Sequence, residues 1–137
     1  MSENENLYAR FRDQFSMQSI AIECEGRAIT YRQLDSYSAV VANNLNRLGL
    51  TKGDLVSVIS EKSLNYLWLY LGCLRAGCIF HPLNPSYTNA EIKFFLTDAQ
   101  PSLLVSSSAL FDKVDGLQDC KLGKTRVLDD PADFLFG

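Results

Sequence analysis

The triplet Gly123-Lys124-Thr125 is the stretch of this sequence whose residue types best fit a phosphate-binding loop. In a P-loop, a glycine-rich turn holds phosphates with its backbone N–H groups, and another glycine stands five residues before the glycine of the triplet. That position is Gln118, and the nearest earlier glycine, Gly116, lies two residues too far upstream. The triplet is therefore predicted to be a basic surface turn. A G-x-G-x-x-G dinucleotide pattern does not follow any predicted strand.

The single histidine, His81, is predicted to end a strand at the carboxyl edge of a parallel sheet, where ligands bind in such sheets. A general base also needs a nucleophile or a carboxylate close in space, and the sequence shows none. His81 is therefore predicted to be a structural or surface residue. The carboxylates Asp54, Glu61, Glu91 and Asp98 fall at predicted turns and helix ends, where capping and helix dipoles explain them.

The cysteines of this chain do not form a C-x-x-C pair. They are Cys24, Cys73, Cys78 and Cys120. Zinc sites space their ligands more tightly, and only one histidine is available to complete such a site. Buried, reduced thiols are therefore favoured over a metal site or a disulfide.

Composition and charge exclude several classes of protein. The 137 residues are 47% hydrophobic and 21% charged, as in soluble globular domains. The net charge of −3 argues against nucleic-acid binding. The aromatic run Tyr66, Trp68 and Tyr70 has no interleaved Lys or Arg, so these side chains are predicted to pack inside the protein rather than to stack on bases. The apolar stretch 64–74 is shorter than the ~20 residues that span a bilayer. Since residues 1–6 are acidic and polar, unlike a signal or transit peptide, we expect a cytoplasmic protein.

Hydrophobic periodicity predicts one α/β domain over residues 1–137. The first predicted elements are an amphipathic helix at 7–15, a hairpin turning at Glu25-Gly26, and a helix that a Thr30 capping box opens and Gly49 stops. A strand at 55–59, an almost wholly apolar helix at 64–76 and a strand at 78–81 follow. The last predicted elements are a helix opened by a Thr88 capping box, a strand at 103–105, a helix at 108–114 and a strand at 126–128. This alternation favours a mostly parallel sheet flanked by helices, with the hairpin before it. Residues 129–137 are predicted to be a loose tail.

Five short stretches, in a fixed order, carry a resemblance to a known family. They are Thr30–Leu34, Leu48–Val56, Leu74–Phe80, Pro82–Thr88 and Glu91–Pro101. Their order and spacing resemble the N-terminal region of the adenylate-forming acyl-CoA synthetase (AMP-dependent synthetase/ligase) superfamily. Within it, Asn6–Phe11, Ser60–Ser63 and the Tyr87–Glu91 phrase are most similar to malonyl-CoA synthetases.

The resemblance implies a partial N-terminal subdomain of the synthetase fold and a two-step ligase reaction. A carboxylate attacks the α-phosphate of ATP to give an acyl-adenylate and pyrophosphate, and the coenzyme A thiol then displaces AMP, with Mg²⁺ offsetting phosphate charge. In relatives, the phosphate loop, the adenine and ribose motifs and the domain with the catalytic lysine follow the matched region. The resemblance therefore assigns no catalytic, cofactor-binding or metal residue here, and we expect residues 1–137 alone to bind no ATP, Mg²⁺ or coenzyme A.

Three functional hypotheses follow from these observations. The first is the N-terminal fragment of a malonyl-CoA synthetase-like or other acyl-CoA ligase, derived from a truncated or split reading frame or a short isoform and inactive alone. The second is a non-catalytic interaction module that pairs with the missing remainder of the ligase or with a full-length homologue. The third is a stand-alone α/β domain that binds a small molecule, which thermal shifts with nucleotides and acyl-CoAs would reveal.

Overall fold

The computed structural model describes residues 20–24, 26–114 and 124–127. Their elements are β1 (Ile20–Cys24), β2 (Arg27–Thr30), α1 (Tyr31–Arg47), β3 (Leu55–Ile59), α2 (Leu64–Ala76), β4 (Ile79–Leu83), α3 (Asn89–Ala99), β5 (Leu103–Ser106), a 3₁₀ helix (Ser108–Lys113) and β6 (Lys124–Val127). This order confirms the predicted α/β class and the N-terminal hairpin, in which β1 and β2 pair antiparallel. The helix predicted at 7–15 and the loose tail predicted at 129–137 lie outside these ranges and stay predictions.

Both predicted capping boxes are present. The Thr30 hydroxyl accepts from the Gln33 backbone N–H at 3.2 Å, and the Thr30 N–H donates to the Gln33 side chain at 3.0 Å. Thr88 and Glu91 make the same pair of bonds at 3.2 and 3.1 Å. These reciprocal bonds satisfy N–H groups that have no partner inside a helix, so they fix where α1 and α3 begin.

The sheet has the order β4-β3-β5-β6, and its neighbouring strands are parallel. From β3 the chain passes through α2 to β4 on one side, and from β4 it passes through α3 to β5 on the other side of β3. Right-handed crossovers in opposite directions place α2 and α3 on opposite faces. Two apolar clusters agree with this placement: one joins α1 and α2 to Val56, Val58, Leu103 and Val105, and the other joins α3 to Ile59 and Leu104.

Helices α1 and α2 share one face of the sheet and approach each other closely at Gly72. A Cβ atom at this glycine would lie 2.4 Å from Cγ1 and 2.7 Å from Cβ of Val41, so the contact needs a residue without a side chain. Near the end of α2, the Arg75 guanidinium donates to the Asp35 carboxylate at 2.7 Å and to the Asp35 carbonyl at 3.1 Å. The close contact at Gly72 and the ion pair between Arg75 and Asp35 together join the two helices.

Helix α2 is bounded as the sequence predicts. The Ser63 hydroxyl accepts from the Tyr66 N–H at 3.2 Å at its start, and Gly77 ends it in the left-handed conformation, with φ of +78°. At 13 residues, α2 is also too short to cross a bilayer, and no other helix in the described ranges has the length and apolarity for that.

The structure differs from several of the predicted elements in extent or in type. Strand β4 continues through Pro82 to Leu83, because β4 lies at the edge of the sheet, where a residue without an N–H is tolerated. The predicted helix at 108–114 is a 3₁₀ helix from Ser108 to Lys113. The last strand begins at Lys124 rather than at 126 and pairs with β5.

Candidate functional site

The carboxyl edge of the sheet between β3 and β5 is the place where the fold can position a ligand. From these neighbouring strands the chain departs in opposite directions, towards β4 after β3 and towards β6 after β5. In open parallel sheets, the crevice outside such a switch point is where ligands bind. The residue after β3 is Ser60, and β5 ends in Ser106, which Ser107 follows.

These serines are buried, and the side-chain hydroxyls of two of them lack hydrogen-bond partners. The Ser60 hydroxyl donates to the Glu61 carbonyl at 2.8 Å, and the Ser107 N–H donates to the Ile59 carbonyl at 3.2 Å. The hydroxyls of Ser106 and Ser107 are buried without a partner. Each hydroxyl has one hydrogen to donate and two lone pairs that accept, so polar groups of a ligand or water molecules can satisfy them, and the arrangement can bind and orient a ligand.

The loop after β4 is fixed at the same edge by a lysine of the 3₁₀ helix. The Lys113 ammonium donates to the carbonyls of Pro85 at 2.6 Å and of Tyr87 at 3.2 Å. The Tyr87 ring stacks on Phe95 of α3 with a centroid distance of 5.0 Å. Neither Lys113 nor the edge serines were predicted as site residues; the Ser-Ser-Ser run directly after a predicted buried strand was the signal that could have pointed to the serines.

His81 has a partner that the sequence did not reveal. Its Nδ1 lies 2.7 Å from the Ser57 hydroxyl, because the two residues are register partners on β4 and β3. The prediction that His81 ends its strand is wrong: it is the middle residue of β4, two residues before the carboxyl end. Ser57 is fully buried, so a substrate cannot reach its hydroxyl, and the pair is a hydrogen bond between strands rather than a nucleophile and its base. His81 was predicted to be a structural or a surface residue, and this contact favours the structural role.

Where the structure gives hydrogen bonds for the candidate carboxylates, these bonds are the turn and capping contacts that the sequence predicts. Asp54 accepts from the Thr51 N–H at 2.8 Å within the turn before β3, and Glu91 completes the second capping box. Glu61 and Asp98 are exposed. Within the described ranges, no group of three or more His, Cys, Asp or Glu side chains could hold a metal ion.

Two of the cysteines, Cys73 and Cys78, are buried free thiols, as predicted. Burial raises the pKa of the Cys73 thiol, and the charge of a Cys78 thiolate would raise it further. Burial, with the Asp54 carboxylate as a second cause, also raises the pKa of Cys78. Because thiolates are the reactive form, the raised pKa values lower the reactivity of both thiols at neutral pH. Cys24 is in β1, and Cys120 is outside the described residues.

The residues Lys124 and Thr125 begin β6, where they pair with Leu103 and Leu104 of β5. The prediction of a surface turn is therefore wrong for these two residues, because the strand starts earlier than its apolar residues indicate. A P-loop has its Lys and Thr at the start of a helix rather than inside a strand, so this placement gives a P-loop no support either.

The aromatic run on α2 packs against neighbouring elements, as predicted. The Trp68 ring lies 5.0 Å from Tyr37 of α1. Tyr66 and Tyr70 make edge-to-face contacts with Phe80 of β4, at centroid distances of 5.4 and 5.2 Å. These side chains join α2 to α1 on one flank and to the edge strand on the other.

The fold and its carboxyl edge define an open, doubly wound α/β unit, in which the chain moves outwards in both directions from the central strands β3 and β5. More specifically, the chain belongs to the AMP-binding enzyme family, whose profile matches residues 9–135. The resemblance proposed from the five stretches is confirmed at this level, and the matched portion corresponds to the N-terminal region of larger ligases.

Three relatives illustrate the match. MatB from Rhodopseudomonas palustris is 36% identical, with a TM-score of 0.80 over 90% of this chain and 26% of its own. 4-Coumarate–CoA ligase 1 from Petroselinum crispum is 34% identical over 111 residues, 80% of this chain and 20% of the ligase. Polyketide synthase PksN from Bacillus subtilis is 31% identical over 99 residues, 72% of this chain and 2% of the synthase. The chain thus spans about a quarter or less of the length of each of these three relatives.

ATP is a ligand of this family, since MatB from Rhodopseudomonas palustris has also been solved with ATP bound, and that structure matches with a TM-score of 0.81. None of the described residues combines the glycine-rich turn and lysine that hold a triphosphate in a P-loop.

Proposed function

We propose that residues 1–137 form the first part of the N-terminal domain of an acyl-CoA ligase of the malonyl-CoA synthetase type. The reaction of such a ligase joins a carboxylic acid to coenzyme A through an acyl-adenylate, with ATP and Mg²⁺, and we place it in the cytoplasm. By themselves, residues 1–137 do not form the adenylate. The observation that carries the proposal is the 36% identity to MatB, a malonyl-CoA synthetase, over 90% of this chain.

The malonyl assignment is supported by two phrases at the carboxyl edge of the sheet. The Ser60–Ser63 phrase follows β3 and includes the cap of α2, and the Tyr87–Glu91 phrase includes the capping box of α3. Both phrases are similar to those of malonyl-CoA synthetases. In this structure both phrases have scaffold roles at the starts of helices. They therefore support a type of ligase and assign no substrate-binding residue.

The first experiment measures pyrophosphate release by purified residues 1–137 with ATP, Mg²⁺, malonate and coenzyme A. MatB from Rhodopseudomonas palustris, assayed in the same buffer, is the positive control. We expect no release above the blank from this chain, because phosphoryl chemistry needs positioned donors and metal around the triphosphate. Turnover that scales with the concentration of residues 1–137 would show that the region is an enzyme by itself.

The second experiment tests the ligase type with fusions. Residues 1–137 replace the matching portion of MatB in one fusion and of 4-coumarate–CoA ligase 1 in the other, and each fusion is assayed with the acid of its own remainder. We expect the MatB fusion to form malonyl-CoA and to retain a larger fraction of its parent's activity. Equal retention in both fusions contradicts the malonyl assignment, and soluble, folded fusions that are both inactive contradict the ligase role.

A second candidate function is a non-catalytic interaction module that pairs with a full-length ligase. The observation that favours it is the apolar surface left exposed on the described residues, where Tyr70 is 39% and Ile79 is 53% exposed. Such side chains are common in interfaces. Passing purified residues 1–137 over immobilised, full-length MatB tests this function, and a monomer that elutes without retention counts against it.

A further inference from the structure

The open edge of the sheet presents apolar side chains on both of its faces. On the α2 face, Phe80 of β4 lies between the rings of Tyr66 and Tyr70. Because side chains alternate along a strand, Ile79 lies on the opposite face, and 53% of it is exposed. We call these four residues the edge surface. It includes two of the three large apolar residues that are exposed in the described part of the chain.

Helix α2 explains why this surface needs a cover. The helix is apolar on nearly all sides, with Trp68 and Leu69 buried within the cluster formed with α1 and the sheet. Its flank above β4 carries Tyr66 and Tyr70. Among the aromatic contacts of the described residues, both rings pair only with Phe80, which is itself partly exposed. A helix that is apolar all round is stable in water when its remaining flank is also covered.

Strand addition is a poor way to cover this edge. The Ile79 N–H donates to the Asp54 carbonyl, so the backbone groups of Ile79 point towards β3 and those of Phe80 and Pro82 point outwards. Pro82 has no N–H to donate to a further strand. Edge strands of this kind are protected against pairing. The occupant must therefore pack its side chains against the surface.

The exposed side chains on both faces indicate a large occupant. A single helix laid on α2 would cover Tyr70 and leave Ile79 in water, because the two lie on opposite faces of the sheet. The solved relative with 36% identity has this fold as 26% of its chain, so a ligase of this type has about three further quarters of chain to place around the unit.

We propose that the edge surface is where the remainder of the ligase packs, enclosing the open edge of the sheet from both faces. The inference rests on the proposed ligase function and deepens it by naming the partner and its contact residues. It predicts that Tyr70 and Ile79 both lose their exposure when the remainder is attached.

The test uses cysteine labelling in residues 1–137 and in their fusion to the MatB remainder. Tyr70→Cys and Ile79→Cys probe the two faces of the edge surface, and Phe94→Cys is the control, since Phe94 is 66% exposed on α3 and outside that surface. Maleimide labelling is followed on the corresponding peptides by mass spectrometry, so native thiols do not interfere. We expect both probes to react at least about tenfold more slowly in the fusion than in residues 1–137, while the control reacts equally in both.

The outcomes distinguish a failure of the inference from a failure of the proposed function. A fusion that makes malonyl-CoA while both probes react at unchanged rates overturns the edge surface but leaves the ligase function in place. Protection of Tyr70→Cys alone overturns enclosure from both faces. A folded fusion without malonyl-CoA formation contradicts the proposed function instead.

Should the fusion be insoluble, residues 1–137 and the MatB remainder are co-expressed as separate chains. Ile79→Asp must then lower recovery of the complex at least about tenfold, a loss expected for a charge in an apolar contact, whereas Phe94→Asp must not. Failure to recover a complex with the unsubstituted chain also overturns the inference.

Discussion

The close approach of α1 and α2 makes Gly72 the position where a single methyl group should have the largest effect. A Cβ at Gly72 would lie 2.4 Å from Cγ1 and 2.7 Å from Cβ of Val41, whereas ordinary contacts begin at 3.4 Å. Rotation of the Val41 side chain moves Cγ1 but leaves Cβ in place. The Gly72→Ala variant must therefore push the two helices apart by several tenths of an ångström.

Two effects of opposite sign decide the free energy of unfolding of this variant. Ala is favoured over Gly in a helix interior by about 1 kcal/mol. Overpacking a closely packed contact costs about 1–3 kcal/mol, and the upper end applies here because the obstructing Cβ is fixed to the backbone. We expect a net loss of about 2 kcal/mol. For a domain of this size, that corresponds to a fall in Tm of about 6 °C.

Urea denaturation of residues 1–137, followed by circular dichroism, measures this loss. Ser36→Ala is the control, because Ser36 is exposed in α1 and its replacement tests helix propensity alone, with an expected gain of a few tenths of a kcal/mol. In the double variant with Val41→Ala, about 1 kcal/mol should be recovered relative to additivity, since Cγ1 is gone. A Gly72→Ala variant that is more stable than the unsubstituted chain would refute the account of the α1–α2 contact.

Three further perturbations have expected outcomes. Burial raises the pKa of Cys73 above that of an unfolded thiol. The stability that the neutral thiol contributes is therefore complete below the unfolded pKa of ~8.5 and declines as the pH rises above it. Urea midpoints at pH 7.5 and 10 should accordingly differ less in Cys73→Ala than in the unsubstituted chain. Ser57→Ala removes the hydrogen-bond partner of His81 and should lower the free energy of unfolding by about 1 kcal/mol, and an unchanged midpoint would show that the bond contributes nothing. Thr88→Ala removes the cap of α3 and should lower it by about 1 kcal/mol, whereas Thr88→Ser, which keeps the hydroxyl, should lose much less.

The features that could be predicted from the sequence are those set by residues close together in the chain. The bonds between Thr30 and Gln33 join residues three positions apart, so they could be read before the fold was known. The same holds for the left-handed Gly77, which ends α2. The parallel sheet followed from the alternation of such elements. Local rules were less successful at β4, where the tolerance for Pro82 depends on the strand's place at the sheet edge.

The contacts that sequence reasoning missed join residues distant in the chain. Ser57 and His81 are 24 positions apart and meet because β3 and β4 pair in one particular register. Lys113 reaches back 28 positions to the Pro85 carbonyl. Periodicity predicts which face of an element is apolar, but it fixes neither the register between strands nor the path of a long side chain. The unpartnered hydroxyls of Ser106 and Ser107 likewise become visible only when β3 and β5 are placed side by side.

The topology separates the two places at which this unit can engage other groups. The buried serines lie at the carboxyl ends of β5 and β3, in the middle of the sheet, whereas the edge surface lies along β4, on the flank where the sheet ends. Packing of a ligase remainder on β4 therefore does not require contact with the crevice between β3 and β5. If the proposed packing is correct, Ile79→Asp should weaken the assembly of a ligase built on this scaffold, and Ser107→Ala should leave that assembly unchanged. A loss of assembly caused by Ser107→Ala would instead mean that the remainder covers the carboxyl edge.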